Sequence, residues 1–323
     1  MTDNVSIDGS DLILLPVLAG PTAAGKTAAG VAVAEAIGGE IVSADSRQIY
    51  RGMEIGSGAP SSQEMKKVKH HFIATIDPHF RISAGEFARI ARETIKEIRR
   101  RNKVPVIVGG SGLYIRALID RLVELPEPDR DLREEIERQI EELGMLAMIE
   151  ELRVVDPEYA QKVGINDRKR LVRAMEVWQS TGKPFSAWHD GQSEEKWCHP
   201  LMFGIDRPRS ELHELIARRI DQMLEDGWID EVNSLVTHYG DFEKLPPAVS
   251  EAVGYSELVA YLRNEISLSD AKERILISTR QFAKRQMTWF RADKRIEWYE
   301  CSGKQAAFRW SESIIETLRK TIN

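Results

Sequence analysis

LLPVLAGPTAAGKTAAG, residues 14–30, is an apolar run that ends at a glycine and restarts as an alanine-rich segment. It contains the pattern G-x-x-x-x-G-K-[ST], a loop whose backbone N–H groups cradle a polyphosphate at the N-terminus of a helix. Residues 12–19 are typical of a buried strand and residues 28–36 of a helix, so the loop lies where this mechanism requires it. We therefore expect a phosphorylated ligand to contact Gly20, Pro21, Thr22, Ala23, Ala24, Gly25, Lys26 and Thr27.

Two side chains of this loop add specific chemistry. Lys26 contributes a mobile positive charge, and the hydroxyl of Thr27 is the expected protein ligand of a Mg²⁺ ion. The motif thus predicts Mg²⁺ as the cofactor.

The composition limits the class of protein. With 323 residues, 42% of them hydrophobic and 30% charged, the chain is typical of a folded globular protein, not of a disordered or fibrous one. The sequence has neither a run that could span a bilayer nor a secretory leader, which predicts a cytoplasmic protein with no membrane partner. Cys198 and Cys301 are far apart and lack paired histidines, which argues against a disulfide framework and a zinc site.

The charge distribution leaves RNA open as a partner. A net charge of −6 disfavours nucleic acid at first sight, but phosphate binding depends on where the positive residues cluster. Residues 168–173 and 280–295 are strongly basic, whereas acidic residues crowd 133–142.

Strand and helix patterns alternate through the first part of the chain. Residues 38–45 and 103–118 each contain an apolar strand, and residues 84–101 form a helical stripe preceded by a capping box from Ser83 to Glu86. This alternation predicts a parallel sheet flanked by helices.

The pattern changes near residue 121, where an acidic helix opens a segment without a convincing strand. Residues 197–206 are strand-like again, and the chain from residue 211 onward is mostly helical. We therefore predict an α/β core in two parts, residues 1–120 and 200–323, separated by a helical insertion domain, residues 121–199.

Asp45 follows the strand pattern of residues 38–45. Acids at the carboxyl ends of parallel strands stand beside the ligand crevice, so Asp45 is a candidate metal ligand or general base, and a helix N-cap is the structural alternative. The residues alone leave two reactions open. A small-molecule kinase would hold ATP in the loop. The other enzyme would hold a diphosphate that leaves as an organic group is transferred.

A wider set of motifs separates these two reactions. AGPTAAGKT, SADSRQIYRGMEIG, KHHFI, VPVIVGGSGLYIRAL, NDRKRLVRAMEVWQSTGKP, EAVGYSEL and TRQFAKRQMTWFR together resemble the tRNA dimethylallyltransferases, over about residues 12–299. The resemblance is to the bacterial type, since no zinc-finger pattern follows the core. It implies a P-loop NTPase-like core with a small all-helical insertion domain, and transfer of a prenyl group from dimethylallyl diphosphate to N6 of adenosine 37 in tRNA, giving N6-isopentenyladenosine.

The resemblance also assigns roles to residues. It implies that Asp45 is the general base, that Ser111 supplies a hydroxyl near the diphosphate and the target base, and that Lys26 and Arg219 bind the diphosphate. The contacts it implies with the tRNA anticodon stem-loop are Asp45, Ser46, Arg47, Gln48, Ser111, Arg133, Lys169, Arg170, Leu171, Val172, Arg173, Glu251, Ala252, Val253, Gly254, Tyr255, Ser256, Lys284, Arg285, Gln286, Met287, Thr288, Trp289, Phe290 and Arg291.

The sequence departs from the family pattern at several of these motifs. Ala59 stands where a lysine is usual, Lys169 replaces a glutamine, and Ser256 replaces an arginine. Two alternatives therefore stay open: prenyl transfer to free AMP or ADP, and a divergent RNA-binding paralogue with altered activity. Nothing in the sequence requires more than a monomer.

Overall fold

The computed structural model describes residues 12–120, 125–126, 129–188 and 196–322. The chain forms two compact units, one made of residues 1–121 and 196–323 and the other of residues 122–195. The predicted domain limit at residue 121 lies outside the described residues. The same holds for residues 1–11, 189–195 and 323 of the predicted domains. The predicted limit at 199 falls inside a strand that begins at Cys198.

Within the described residues the strands are β1 (Ile13–Ala19), β2 (Gly39–Ser43), β3 (His70–His71), β4 (Val104–Gly109), β5 (Cys198–Asp206) and β6 (Ile296–Glu300). The helices are α1 (Lys26–Ala36), α2 (Ser62–Lys67), α3 (Ala84–Arg100), α4 (Gly112–Asp120), α5 (Arg130–Leu143), α6 (Met145–Val155), α7 (Pro157–Ala160), α8 (Arg168–Thr181), α9 (Arg209–Glu225), α10 (Trp228–Tyr239), α11 (Pro247–Ser250), α12 (Tyr255–Leu262), α13 (Leu268–Ala292) and α14 (Ala306–Ile322). Short 3₁₀ turns occur at Ser186–Trp188 and Phe242–Lys244.

The first unit is built on one parallel sheet with strand order β3-β2-β4-β1-β5-β6. This confirms the predicted α/β class. β1 lies between β4 and β5, and its residues from Leu14 to Ala19 are buried, as expected for a central strand covered on both faces. The carboxyl ends of β1, β2 and β4 therefore meet at one edge of the sheet, where a ligand crevice is expected.

β6 was not predicted from the sequence. Only Ile296 of this strand is buried, and glutamates stand at positions 297 and 300. Because an edge strand needs few apolar residues and commonly carries charged ones, it leaves a weak sequence pattern.

The capping box predicted at residues 83–86 is confirmed. The Glu86 backbone N–H donates to Ser83 Oγ at 3.1 Å, and the Ser83 backbone N–H donates to the Glu86 carboxylate at 2.8 Å. These bonds satisfy N–H groups that the first turn of a helix leaves without partners, so α3 begins at Ala84.

The second unit is helical and has its own apolar core. Side chains from α5, α6 and α8 fill it, among them Ile136, Leu152, Leu171 and Met175. The buried Glu176 carboxylate accepts hydrogen bonds from the Arg173 guanidinium at 2.7 Å and from the Asp129 backbone N–H at 2.9 Å. This charge is therefore paired inside the unit.

A charged cluster lies at the beginning of β2. Arg101 and His71 each approach the carboxylate of the buried Glu40 at 2.7 Å, and Lys69 lies 4.0 Å away. Burial opposes ionisation of Glu40, but the hydrogen bonds and positive charges of its neighbours outweigh it and lower the pKa of this carboxyl.

None of the helices in the described part of the chain has both the length and the apolar composition that crossing a bilayer requires.

Candidate active site

The loop between β1 and α1 leaves backbone N–H groups available at a helix N-terminus. Gly25 is the N-cap residue of α1, adopts a left-handed conformation with φ of +100°, and provides no side-chain cap. A Cβ at this position would also lie 2.9 Å from Cβ of Ala307, so both the backbone angle and the space favour glycine. The uncapped first turn of α1 can donate to an anion.

Lys26, Asp45 and Arg219 are close enough to influence one another electrostatically. Burial lowers the pKa of Lys26 to about 8, with Asp45 opposing this shift and Arg219 adding to it. The ammonium group donates to the carbonyl oxygen of Pro21 at 2.7 Å. At neutral pH Lys26 is mostly protonated, so two cations and one carboxylate occupy the site.

Asp45 follows β2 and closes a turn. Its Oδ1 accepts hydrogen bonds from the backbone N–H groups of Arg47 at 2.9 Å and Gln48 at 3.3 Å, and no helix begins there. The helix N-cap alternative is therefore wrong, because the carboxylate caps a turn instead. No described residue donates to Oδ2, which leaves that oxygen able to accept a proton.

Ser111 lies beside this turn. Its Oγ accepts a hydrogen bond from the Ser46 backbone N–H at 2.9 Å and donates to Ser46 Oγ at 3.1 Å. The Ser111 backbone N–H donates to the carbonyl oxygen of Ala44 at 3.1 Å. The structure thus brings together the two motifs that follow the neighbouring strands β2 and β4.

Arg219 reaches the site from α9. Its Nη2 donates to the carbonyl oxygens of Gly58 at 3.0 Å and Ser57 at 3.5 Å. The Gln48 side chain donates to the same Gly58 oxygen at 3.0 Å. Burial lowers the pKa of Arg219, and the nearby Asp45 opposes this effect. The carbonyl oxygens of the 56–60 segment therefore hold Arg219 near Asp45.

Glu231 is a site residue that the sequence did not reveal. Its carboxylate accepts from the backbone N–H groups of Ile55 at 2.7 Å and Gly56 at 3.0 Å and from the Tyr255 hydroxyl at 2.8 Å. Burial raises the pKa of Glu231 despite these three bonds. Glu231 thereby fixes the segment on which Arg219 rests, and nothing in the local sequence distinguishes it from Asp230.

Arg207 is a second residue that the sequence did not reveal. It follows β5, its side chain is 6% exposed, and its Nε donates to the carbonyl oxygen of Ala24 in the phosphate loop at 2.9 Å. Its guanidinium also pairs with Glu211. Arg207 therefore supports the loop from the β5 side, and only the β1–β5 pairing brings it there.

The candidate RNA contacts differ in exposure. Buried members of the set are Leu171, Val172, Ala252, Gly254, Tyr255, Gln286 and Phe290. The motifs are continuous in sequence, but a helix directs successive side chains to different faces, so Leu171, Val172, Tyr255, Gln286 and Phe290 pack inside the protein, and Ala252 and Gly254 are buried in the turn before α12. The members of the set that are exposed to solvent are Lys169, Arg170, Glu251, Ser256, Lys284, Arg285, Thr288, Trp289 and Arg291.

The remaining members are partly buried. Asp45, Ser46, Arg47, Gln48 and Ser111 line the carboxyl edge of the sheet, and Arg133, Arg173, Val253 and Met287 complete the set. Arg173 is engaged internally, because it donates to Glu176 at 2.7 Å and to the Pro126 carbonyl oxygen at 2.6 Å.

A basic cleft of about 970 Å³ lies between α4 and α13. Arg116, Lys284 and Arg285 line it together with Trp289, which is 39% exposed. Positive side chains beside an accessible indole suit the phosphates and unpaired bases of single-stranded RNA.

Comparisons with known proteins identify relatives over most of the chain. The family model described as IPP transferase matches residues 48–293. A tRNA dimethylallyltransferase of Symbiobacterium thermophilum is 42% identical over 309 residues, covering 95% of each chain. The tRNA isopentenylpyrophosphate transferase of Bacillus halodurans superposes with a TM-score of 0.66 at 32% identity, covering 95% of this chain and 97% of that one. A eukaryotic dimethylallyltransferase acting on tRNA superposes with a TM-score of 0.74 at 26% identity, over 90% of this chain and 74% of that one.

Proposed function

This chain belongs to the IPP transferase family, and we propose that it transfers a dimethylallyl group from dimethylallyl diphosphate to N6 of adenosine 37 in tRNA, giving N6-isopentenyladenosine. The observation that carries this proposal is the grouping of the phosphate loop with Lys26, Asp45 and Arg219 at the carboxyl edge of the sheet. The same edge holds Ser111. A site with these groups can hold a diphosphate and accept a proton.

The donor end of the site serves the leaving group. As the carbon–oxygen bond of the donor breaks, negative charge grows on the diphosphate. Lys26, Arg219 and the N–H groups of the first turn of α1 stabilise this charge, and their stabilisation increases as the reaction proceeds.

The acceptor end serves the nucleophile. The N6 lone pair attacks the allylic carbon, diphosphate departs, and the proton released from nitrogen passes to the Asp45 carboxylate. The hydrogen bonds of Arg47 and Gln48 to Oδ1 hold this carboxylate in place, and the Ser111 hydroxyl fixes the neighbouring Ser46. The adenine must leave the anticodon-loop stack to reach Asp45, at a cost of a few kcal/mol.

The residues present fit a Mg²⁺ ion bound with the donor. Thr27 follows Lys26 in the first turn of α1, so its hydroxyl would be a hard oxygen ligand beside the phosphate loop. Mg²⁺ is usually held by one or two protein oxygens together with substrate phosphates, and when bound it would supply charge stabilisation to the diphosphate.

Exposed basic residues within each of the two units support RNA binding. Lys284, Arg285 and Arg291 are exposed on α13, and Lys169 and Arg170 are exposed on α8. Arginine pairs with phosphates and stacks on bases, which suits contact with an anticodon loop. We also infer that the protein acts in the cytoplasm. A single copy suffices for the site, because Lys26, Asp45 and Arg219 lie near one another within it and Ser111 lies beside the Asp45 turn, so we infer a monomer.

The proposal is tested by incubating the purified protein with Mg²⁺, dimethylallyl diphosphate and a tRNA that carries A36, A37 and A38. Mass spectrometry of ribonuclease fragments of this tRNA should find adenosine 37 heavier by one prenyl group. A parallel reaction with AMP should give far less product. Failure with every tRNA tested would overturn the proposal, and faster prenylation of AMP would favour the free nucleotide as acceptor.

A further inference from the structure

Gln286 joins the phosphate loop to the loop that follows β4. This α13 residue is 7% exposed. Its Oε1 accepts a hydrogen bond from the Thr22 backbone N–H at 2.8 Å, and its Nε2 donates to the carbonyl oxygen of Gly110 at 2.9 Å. Both ends of the side-chain amide are therefore used inside the protein.

The packing around Gln286 depends on glycine. A Cβ at position 110 would lie 2.4 Å from the Gln286 Nε2, and a Cβ at position 112 would lie 2.0 Å from the Trp289 ring. α13 thus lies directly on the segment that contains Ser111. Ser111 in turn binds Ser46, the residue next to Asp45. The Gln286 amide therefore contacts both the phosphate loop and the segment whose Ser111 supports the Asp45 turn.

We propose that Gln286 is a positioning residue for the dimethylallyl diphosphate site and makes no contact with RNA. This inference rests on the proposed function. Gln286 fixes Thr22 in the phosphate loop and Gly110 beside Ser111, while its neighbours Lys284 and Arg285 on the same helix face solvent. Neighbouring residues of one sequence motif thus have different roles: Gln286 positions the donor site, and Lys284 and Arg285 are available to RNA.

Gln286→Met keeps the length of the side chain and removes both hydrogen bonds. A buried N–H group left without a partner costs about 1–3 kcal/mol, so we expect the affinity for dimethylallyl diphosphate to fall by roughly 5-fold to 150-fold. The dissociation constant for tRNA should stay within about twofold of wild type. Arg285→Met, the matched control on the exposed face, should weaken tRNA binding and leave donor affinity unchanged.

Equilibrium binding of each substrate alone measures these effects, with Mg²⁺ present for the donor. Hydrogen exchange of the peptide containing Thr22 gives a second measurement that needs no substrate. Exchange should be faster in Gln286→Met than in wild type, whereas Arg285→Met, which leaves both Gln286 hydrogen bonds in place, should exchange at the wild-type rate.

Weaker tRNA binding by Gln286→Met with unchanged donor affinity and unchanged exchange would overturn the inference, because Gln286 would then contact RNA. If the wild-type protein binds no donor, the proposed function fails, and the exchange measurement still decides whether Gln286 holds the loop.

Discussion

The hydroxyl of Ser111 and the backbone N–H of Ser46 lie 2.9 Å apart and are hydrogen-bonded. The same hydroxyl donates to Ser46 Oγ at 3.1 Å, so the O–H group both accepts from and donates to Ser46. These two bonds connect the segments that follow β4 and β2, and they fix the residue next to Asp45.

Ser111→Ala should lower kcat for prenyl transfer by about tenfold, because the Ser46 N–H loses its partner and the turn that carries Asp45 loosens. Ser111→Thr keeps the hydroxyl and should retain most of the wild-type rate. Steady-state kinetics with saturating donor and tRNA measures both variants. Equal rates for wild type and Ser111→Ala would show that this bond does not position Asp45.

Asp45→Asn separates proton transfer from structure. Asparagine keeps an oxygen that can accept from the Arg47 and Gln48 N–H groups, but it is not a base. We expect kcat to fall by roughly 10²-fold to 10⁴-fold with tRNA binding retained. Asp45→Ala should show the same fall in kcat. It should also lower the melting temperature, because the turn loses the carboxylate that caps it. Unchanged single-turnover rates in Asp45→Asn would remove Asp45 as the base.

In the proposed reaction Arg219 stabilises the departing diphosphate, and Arg219→Gln removes this positive charge. A lost hydrogen bond to a charged group costs about 1.5–3 kcal/mol, which corresponds to a KM for dimethylallyl diphosphate raised by roughly 10-fold to 150-fold. The neighbouring Arg218 is a matched control, because its side chain is 64% exposed and pairs with Glu214 on the surface. Arg218→Gln should leave the kinetics unchanged, and a similar loss in both variants would contradict a specific role for Arg219.

The sheet and the candidate base could be predicted because each leaves a local pattern. Apolar runs mark β1, β2 and β4, and Asp45 follows one of them. Glu231 and Arg207 could not be found in this way. Their roles depend on burial and on the carbonyl and N–H groups they meet, which only the packing of α9, α10 and β5 creates.

Gln286 shows another limit of prediction from sequence. Its motif was recognised, but a resemblance in sequence does not say which helix face a residue occupies. The structure places Gln286 and Phe290 inward and Lys284 and Arg291 outward. Tertiary packing therefore divides residues that the sequence groups together.

Glu40→Gln should destabilise the protein at neutral pH, because Arg101 and His71 lose a charged partner. The loss should be only about 1–2 kcal/mol, since the Arg101 side chain is 42% exposed and solvent weakens the pair. The pKa of Glu40 is lowered in the folded protein, so its contribution is present above the ordinary value near 4.5 and is lost as the pH falls through the folded pKa. Urea unfolding of both proteins at pH 7 and below pH 4 measures the difference.

The difference in unfolding free energy between wild type and Glu40→Gln should shrink on acidification. Glu93→Gln, which removes an exposed ion pair with Lys96, serves as the control and should show a much smaller difference, because solvent screens this pair. A difference for Glu40→Gln that is independent of pH would mean that packing, not charge, accounts for it.

The pairing of β1 with β5, seven residues in register from Ile13 with Cys198 to Ala19 with Gly204, has a consequence for biosynthesis. On the ribosome the strand that precedes the phosphate loop has one bare edge until residue 204 has emerged, long after its pairing with β4 becomes possible. A nascent chain stalled between these points exposes an apolar strand edge, and chaperone binding to ribosome-held fragments should decline once β5 leaves the exit tunnel.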